Sequence, residues 1–386
     1  MSVFSVDLNE LDKFSQRLVA LAGSGDSSSG VMGINRASDY CREWITPAGA
    51  RVGWLFKDFA STADQVQEAI LGRLVTLRDL LEASGTGVDT VRGYYDATQD
   101  GILDEFEQIA ASLADSAYTD WQRSPDWVPD KVVPISGVHP DIVLQYPTVD
   151  ETIPDLVEFV FTSRRWNSIY GLINKAVEFV WMDLCGNPTN PLEEVLSGLA
   201  GDWNQVALSS DALGHLAAYH HELALHIRAA VTLVRETWSG NSSDAAQAYF
   251  DQLCAALDEM VPALRTVSSD YSQVAFGMWM LAQGLAGLIP AVVTICKLVA
   301  ATAAVGAATS WSLIGPILSG VGIGAQAVVL VSLLLQVRDV WCAMISVVDV
   351  FIGCGAGFTG ARYSLDTIQN VDSINAPYLD PLADRK

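Results

Sequence analysis

Basic residues are scarce in this sequence. Its 386 residues include 22 Lys plus Arg against 45 Asp plus Glu, a net charge of −23. Sequence-independent binding to nucleic acid draws its affinity from neutralised phosphates, and attraction to anionic lipid needs clustered cations. Both are excluded as simple electrostatic functions. Close cysteine pairs are missing too. Cys41, Cys185, Cys254, Cys296, Cys342 and Cys354 are widely and irregularly spaced, with no Cys-x-x-Cys, which argues against a zinc cage or a dense disulfide framework. Four of the six fall in apolar helical patterns, where a free thiol behaves as a small buried hydrophobe. Met1 to Asp7 has neither the basic start nor the apolar run of a secretory signal peptide. Export would therefore need a route that reads folded helices.

Catalytic motifs are also lacking. There is no Gly-x-Ser-x-Gly elbow and no P-loop, and Gly320-Val-Gly-Ile-Gly-Ala lacks the strand that precedes a dinucleotide fingerprint. The carboxylates are spread over solvated faces, so no pair is nominated for acid–base work. Four of the five histidines cluster as His215, His220, His221 and His226. A zincin places its two histidines four apart on one helical face. His221 and His226 are five apart, about 140° off on a 3.6-residue helix. No catalytic, cofactor-binding or metal-ligating residue is nominated, and the chain is not expected to be an enzyme or to carry a cofactor. His220, on an apolar stripe, is a candidate pH-sensitive interface residue.

What is present is helical periodicity. Asp7-Leu-Asn-Glu10 has the form of a capping box, and Leu8, Leu11, Phe14, Leu18 and Leu21 follow at helical spacing. A Gly/Ser-rich break spans Gly23 to Gly33, and a second segment stops at Pro47. A long helix then carries Phe59, Ala63, Val66, Ile70, Leu77, Leu81, Val88, Val91 and Tyr95 on one stripe; Gly85 and Gly87 weaken it locally. Pro125, Pro129, Pro134, Pro140 and Pro147 preclude a continuous helix over 121–150 and predict a connector with a short strand. Apolar helical pattern resumes from Ile153 to Met182, and Gly186 to Pro191 opens a new module.

Two further stripes face one short loop. Leu213, Leu216, His220, Leu223, Ile227, Ala230 and Val234 precede Trp238-Ser239-Gly240. Phe250, Leu253, Leu257, Met260, Leu264, Val267, Tyr271, Val274 and Met278 follow it. Such a pattern predicts an antiparallel helical hairpin. Gly240 suits a left-handed helix end, and Ser242, Ser243 and Asp244 offer N-cap oxygens, with Gln247 placed to complete a box. Trp238 presents a large apolar body that a partner helix could bury. Pro262 is expected to kink the second helix without ending it.

Over about 200 to 280, with Gly201-Asp202-Trp203 and Trp238-Ser239-Gly240, the chain resembles the Trp-x-Gly (WXG) family of type VII (ESX) secretion substrates. The resemblance implies a WXG-like four-helix bundle with a second hairpin, a helical WXG-type partner or self-assembly, and recognition by the type VII secretion ATPase. It also implies a secreted or cell-envelope location reached without a signal peptide. The first 117 residues look like a more divergent hairpin of the same kind. The family's export signal is Tyr-x-x-x-Asp/Glu after a second helix. Here Tyr95-Asp-Ala-Thr-Gln99 has glutamine in the acidic place and Asp100 one residue later, a degenerate candidate; Tyr146-Pro-Thr-Val-Asp150 matches the letters, but Pro147 places it off a helix.

The apolar C-terminal third stands apart. From Val274 to Val337 the one charged residue is Lys297. The length suffices for two or three spans, and Gly315-Pro316 marks a turn. A buried hairpin covered by amphipathic neighbours, a conditionally inserting segment and a constitutive anchor are the competing readings. Lys297 and Asp349 are expected either to pair or to sit at helix ends.

The expected fold is all-α. An N-terminal hairpin covers 1–120, a proline-rich connector 121–190, a WXG hairpin 191–280, an apolar Gly/Ala-rich helical region 281–360 and a tail 361–386. The expected function is that of a non-enzymatic type VII secretion substrate or secretion-associated protein. The alternatives are a membrane-active effector using 277–359 and an intracellular scaffold. No nucleic acid is expected as a partner, and a membrane is a candidate one.

Overall fold

The computed structural model describes residues 6–23, 33–46, 54–113, 140–149, 202–239, 241–306 and 324–368. The pattern expected over 153–182, the module start at 186–191, Gly240, the turn at Gly315-Pro316 and most of the tail lie outside the described residues. Among the described residues the fold is all-α, with six helices and no strand. They are α1 (Leu8–Ala22), α2 (Ile34–Trp44), α3 (Trp54–Leu113), α4 (Trp203–Arg235), α5 (Asn241–Gly306) and α6 (Gly324–Gly360). Two 3-10 turns, Pro140–Val143 and Ser364–Thr367, accompany them.

Local chemistry sets the ends. Asp7 Oδ1 accepts from the amides of Asn9 and Glu10, the N-cap half of the expected box. The reciprocal half does not form: Glu10 turns to Lys13, and the Asp7 amide donates to Thr237 O at 3.2 Å. A tertiary bond thus replaces a local one and fastens the start of α1 to the end of α4. Gly23 closes α1 at φ 90°, a left-handed cap that glycine adopts without a Cβ clash. α5 passes through Pro262 without ending, since the ring faces solvent and only one intrahelical hydrogen bond is lost there.

Packing closes a ring. α1 and α2 lie along α3, α3 touches α6, α6 touches α5, α5 packs along α4, and α4 returns to α1 and α2. Contact pairs fix the directions. Ser210 and Ser268 exchange hydrogen bonds between hydroxyl and carbonyl at 2.8 Å, and Arg228 reaches Asp258, so α4 and α5 run antiparallel. Ser15 Oγ donates to Gly85 O at 2.9 Å and Gln67 Nε2 to Cys41 O at 2.8 Å, so α1 and α2 follow one another down α3. Gly85 permits the first approach: a Cβ there would stand 2.7 Å from Val19 Cγ2. On the opposite flank Gly355 admits Thr62, which brings α6 against α3.

Every residue of the three long stripes is buried, from Phe59 to Tyr95, Leu213 to Val234 and Phe250 to Met278. An aromatic node joins four helices where Phe59 meets Phe351 at 4.5 Å, Tyr271 at 5.3 Å and Trp203 at 5.9 Å between ring centroids. Edge-to-face and offset contacts of this kind add to the area they bury.

Several sequence expectations are revised. The connector contributes a 3-10 turn and then an extended stretch over 144–149, with no strand among its described residues. The first residues assigned to the tail are held down, with Leu365 buried against the bundle. Lys297 and Asp349 both lie inside helices, not at ends. They cannot pair: Tyr271 meets Phe351 and Gly277 meets Met344, a register that sets position 297 roughly 37 Å along the axis from position 349. Finally, among the described residues α6 is covered on one face, where Leu330, Leu334, Val337, Trp341, Met344, Val348 and Phe351 are buried, and open on the other. Val328–Thr367 contains a window of mean hydropathy 1.9 of which 28% is buried.

Candidate functional site

The Trp-Ser-Gly turn is the region where sequence and structure converge. The Trp238 amide donates to Val234 O at 2.8 Å and the Thr237 amide to the same oxygen at 3.1 Å, which tightens the last turn of α4. Ser243 Oγ donates to Trp238 O at 2.7 Å. That serine therefore pins the turn from the first residues of α5 instead of capping the helix. Gly240 and the side chains of Asn241 and Ser242 lie outside what the structure describes.

Trp238 is 3% exposed. Its cover comes from within the chain, where the indole Nε1–H points to Tyr95 Oη at 3.4 Å. Tyr95 is itself buried at 6% exposure on α3, with the Tyr94 ring 6.1 Å away. Tyr95, the first residue of the Tyr-Asp-Ala-Thr-Gln segment, thus abuts the tryptophan of the Trp-Ser-Gly turn. Gln99 and Asp100 continue the same helix one turn on; their side chains lie outside the described set. Around this contact Ser84 Oγ shares a 3.0 Å hydrogen bond with Tyr249 Oη, and Phe14 packs edge-on to Phe250 at 5.2 Å. Four helices meet at one end of the ring through these groups.

The histidines separate. His220 is buried and its Nδ1–H donates to Leu216 O at 2.8 Å. Burial holds its pKa below the ordinary imidazole value, with the backbone bond opposing in part. It faces the bundle interior, not an outer surface. His226 bonds Glu222 O within its own turn, and His221 approaches Asp258 at 3.7 Å. His215 belongs to a different cluster. Its Nδ1 is 2.7 Å from Tyr40 Oη, and its Nε2 is 3.9 Å from Asp211. Among the described residues no three metal-ligating side chains converge.

The carboxylate, imidazole and phenol of Asp211, His215 and Tyr40 have the composition of a proton relay. The geometry makes them a clasp. Tyr40 Oη donates its one proton to Gln145 O at 2.8 Å, and burial, then Asp211, push the phenol well above its usual range. At 3.9 Å the carboxylate is beyond hydrogen-bond reach of the ring. Asp211 instead accepts the Thr148 amide at 2.8 Å, and Trp44 stacks edge-on to Tyr146. The extended stretch 144–149 is thereby fastened across α2 and α4. Tyr146 sits there off any helix, as Pro147 requires.

A second fastening was not read from the sequence. Arg73 is buried on α3, and its Nη2 donates to Ala361 O at 3.2 Å and Phe358 O at 3.4 Å, at the carbonyl end of α6. The guanidinium lies 4.3 Å from the Tyr363 ring centroid and 4.8 Å from that of Phe358. A cation there satisfies orphan carbonyls and meets the negative end of the helix dipole, and its flat faces meet aromatic faces. Glu259 Oε2 accepts the Ser364 amide at 2.9 Å from the α5 side.

Cys41, Cys254 and Cys354 offer little nucleophilic character. Burial pushes Cys41 up to about 12 and Cys254 to about 11, and Cys354, although exposed, is raised as well, by burial and then by Asp270. Compared with protein-family models, with curated proteins and with solved structures, the chain gives no match in any of the three.

Proposed function

We propose that this chain is a non-enzymatic type VII secretion substrate or secretion-associated protein that carries both helical hairpins of a WXG-like bundle in one polypeptide. In this reading α1 and α2 together form the first arm against α3, and α4 and α5 form the second hairpin around Trp238-Ser239-Gly240. The observation that carries it is the contact between Trp238 and Tyr95. A turn tryptophan that would otherwise need a partner chain is covered by the chain's own first hairpin, beside the tyrosine of the export-like motif. The bundle then needs no separate WXG partner, and its recognition element for the secretion ATPase is the end of the ring where that contact lies.

The test is expression of the full chain in a type VII-competent bacterium and in the same strain lacking the secretion ATPase. The chain is expected in the culture supernatant or envelope fraction of the first alone. Equal distribution in both strains, with stable expression, would sink the reading and favour an intracellular scaffold. Sedimentation of the protein in mild detergent adds a second check: a monomer is expected, because the hairpins satisfy each other.

A further inference from the structure

Beyond Gly277, α5 continues to Gly306, and among the described residues the first half of α6 runs antiparallel beside it. Val292, Cys296, Leu330, Leu334 and Val337 are buried along this arm. The faces turned away from the seam are apolar too. Val328 is 69% exposed and Phe276 61%, with Met280, Leu298, Val329 and Leu335 also open. A helix that docks on a protein shows one apolar stripe and an opposite polar face. On this arm the exposed polar groups among the described side chains are few and uncharged before Arg338, Gln283 and Thr294 on α5 and Ser332 and Gln336 on α6, and no acidic residue occurs between Val274 and Val337.

The base of the arm has a different composition. Gly277 abuts Met344 and Val347, which puts Trp279 and Trp341 at one height, and Trp54 of α3 packs edge-on to Trp341 at 5.6 Å. Trp54 is exposed and Trp279 half-buried. Arg338 and Asp339 are exposed at the same level. Tryptophans beside the first charges, beneath a charge-poor rod, form the pattern of a membrane–water interface. From Met280 to Gly306 the rod rises roughly 40 Å at 1.5 Å per residue, enough to cross a hydrocarbon core of about 30 Å. Lys297, the arm's one charge, stands about 25 Å above the tryptophan level along the α5 axis, close to where the opposite headgroup layer begins.

We infer that the arm formed by α5 beyond Gly277 and α6 before Arg338 is a membrane-inserting helical pair whose occupant is the hydrocarbon core of a lipid bilayer, with the acidic bundle held at one face. Insertion is driven by apolar burial, not by charge, because the chain has few cations to offer anionic headgroups. The inference stands independently of the secretion reading.

The test is co-flotation of the full chain, purified without detergent, with phosphatidylcholine vesicles at low and high salt. The chain is expected to float at both, and added anionic lipid is expected to weaken binding. Val328→Asp, about halfway up the arm, is expected to lower the partition coefficient roughly a hundredfold, and Leu335→Asp, nearer the base, roughly tenfold. Met280→Asp, at the tryptophan level, is expected to change it less than about threefold. All three positions are exposed, so far-UV circular dichroism should be unchanged, and Val329→Asp repeats the deep test one residue along. A chain that stays at the bottom of the gradient, variants that lose binding equally at all heights, or a requirement for anionic lipid would each overturn the inference. So would self-association abolished by Val328→Asp without flotation, which would assign the surface to a second copy.

Discussion

The two ends of α5 obey different rules. Between Phe250 and Met278 its apolar stripe is completely enclosed by α4, α1, α3 and α6, and its polar residues face water. Past Gly277 the same helix also exposes apolar side chains, Met280 and Leu298, and among the described residues α6 is the helix packed along it. Hydrophobicity alone does not separate the two regions. What separates them is where the charge lies: the faces of the bundle are sorted into apolar inside and charged outside, whereas from Val274 to Val337 the one charged residue is Lys297.

The largest effect expected is on the bundle side. Trp238→Ala removes the indole that closes one end of the ring and is expected to cost about 3–5 kcal/mol by urea denaturation, while leaving vesicle flotation intact. A cost below about 1 kcal/mol would mean that the turn is not part of the bundle's core. Gly355→Val comes next. The added side chain collides with Thr62, and prying α6 from α3 is expected to cost about 1–3 kcal/mol and to expose the α6 junction to limited proteolysis. Arg73→Gln should follow at about 1–2 kcal/mol, as the end of α6 loses its cation and its aromatic stacking. Loss of protection from hydrogen exchange is expected to concentrate near Ala361.

His220 supplies the pH test. Its folded-state pKa is depressed below 6.5, so the unfolded chain takes up the proton first. The contribution of this group is fully present above about pH 6.5 and is lost as pH falls toward the folded-state value. His220→Leu should flatten that part of the stability profile, and an unchanged slope would assign the acid sensitivity to other groups. The smallest effect belongs to the arm. Leu335→Gln at an exposed position is expected to shift stability by no more than about 0.5 kcal/mol, although the same site matters for flotation. A large loss would mean that the arm is packed as the bundle is, and the contrast between the regions would collapse.

Much of the bundle was legible because heptad spacing reports burial directly. All residues of the three long stripes are interior, Leu8 and Leu21 of α1 being half-buried, and the continuity of α5 through Pro262 follows from the proline's exposed position. The stripe of α3 nevertheless has two gaps, between Ile70 and Leu77 and between Leu81 and Val88. Those gaps hold the features that periodicity cannot name: Arg73 in the first, Ser84 and Gly85 in the second. Each serves a partner far along the chain, so no local pattern identifies that partner, although a cation beside an apolar stripe is a signal that could have been followed. The Tyr40 clasp was illegible for the same reason, since Gln145 and Asp211 contribute through a backbone carbonyl and a long-range amide bond. For the candidate site, the turn and Tyr95 could each be picked out by motif, but only the folded ring puts one against the other.

The continuity of α5 has a mechanical consequence. A single rod of 66 residues serves as a wall of the ring and as half of the arm, with no loop between them to act as a joint. Along such a rod an axial slip of one residue, about 1.5 Å, is coupled to a turn of about 100°. A push or twist applied at the far end reaches Tyr271 before it meets Pro262, the place where this helix bends most easily, and that ring can follow only by leaving the socket made by Phe59 and Phe351. The arm and the bundle are two ends of one lever, and the aromatic node is its fulcrum.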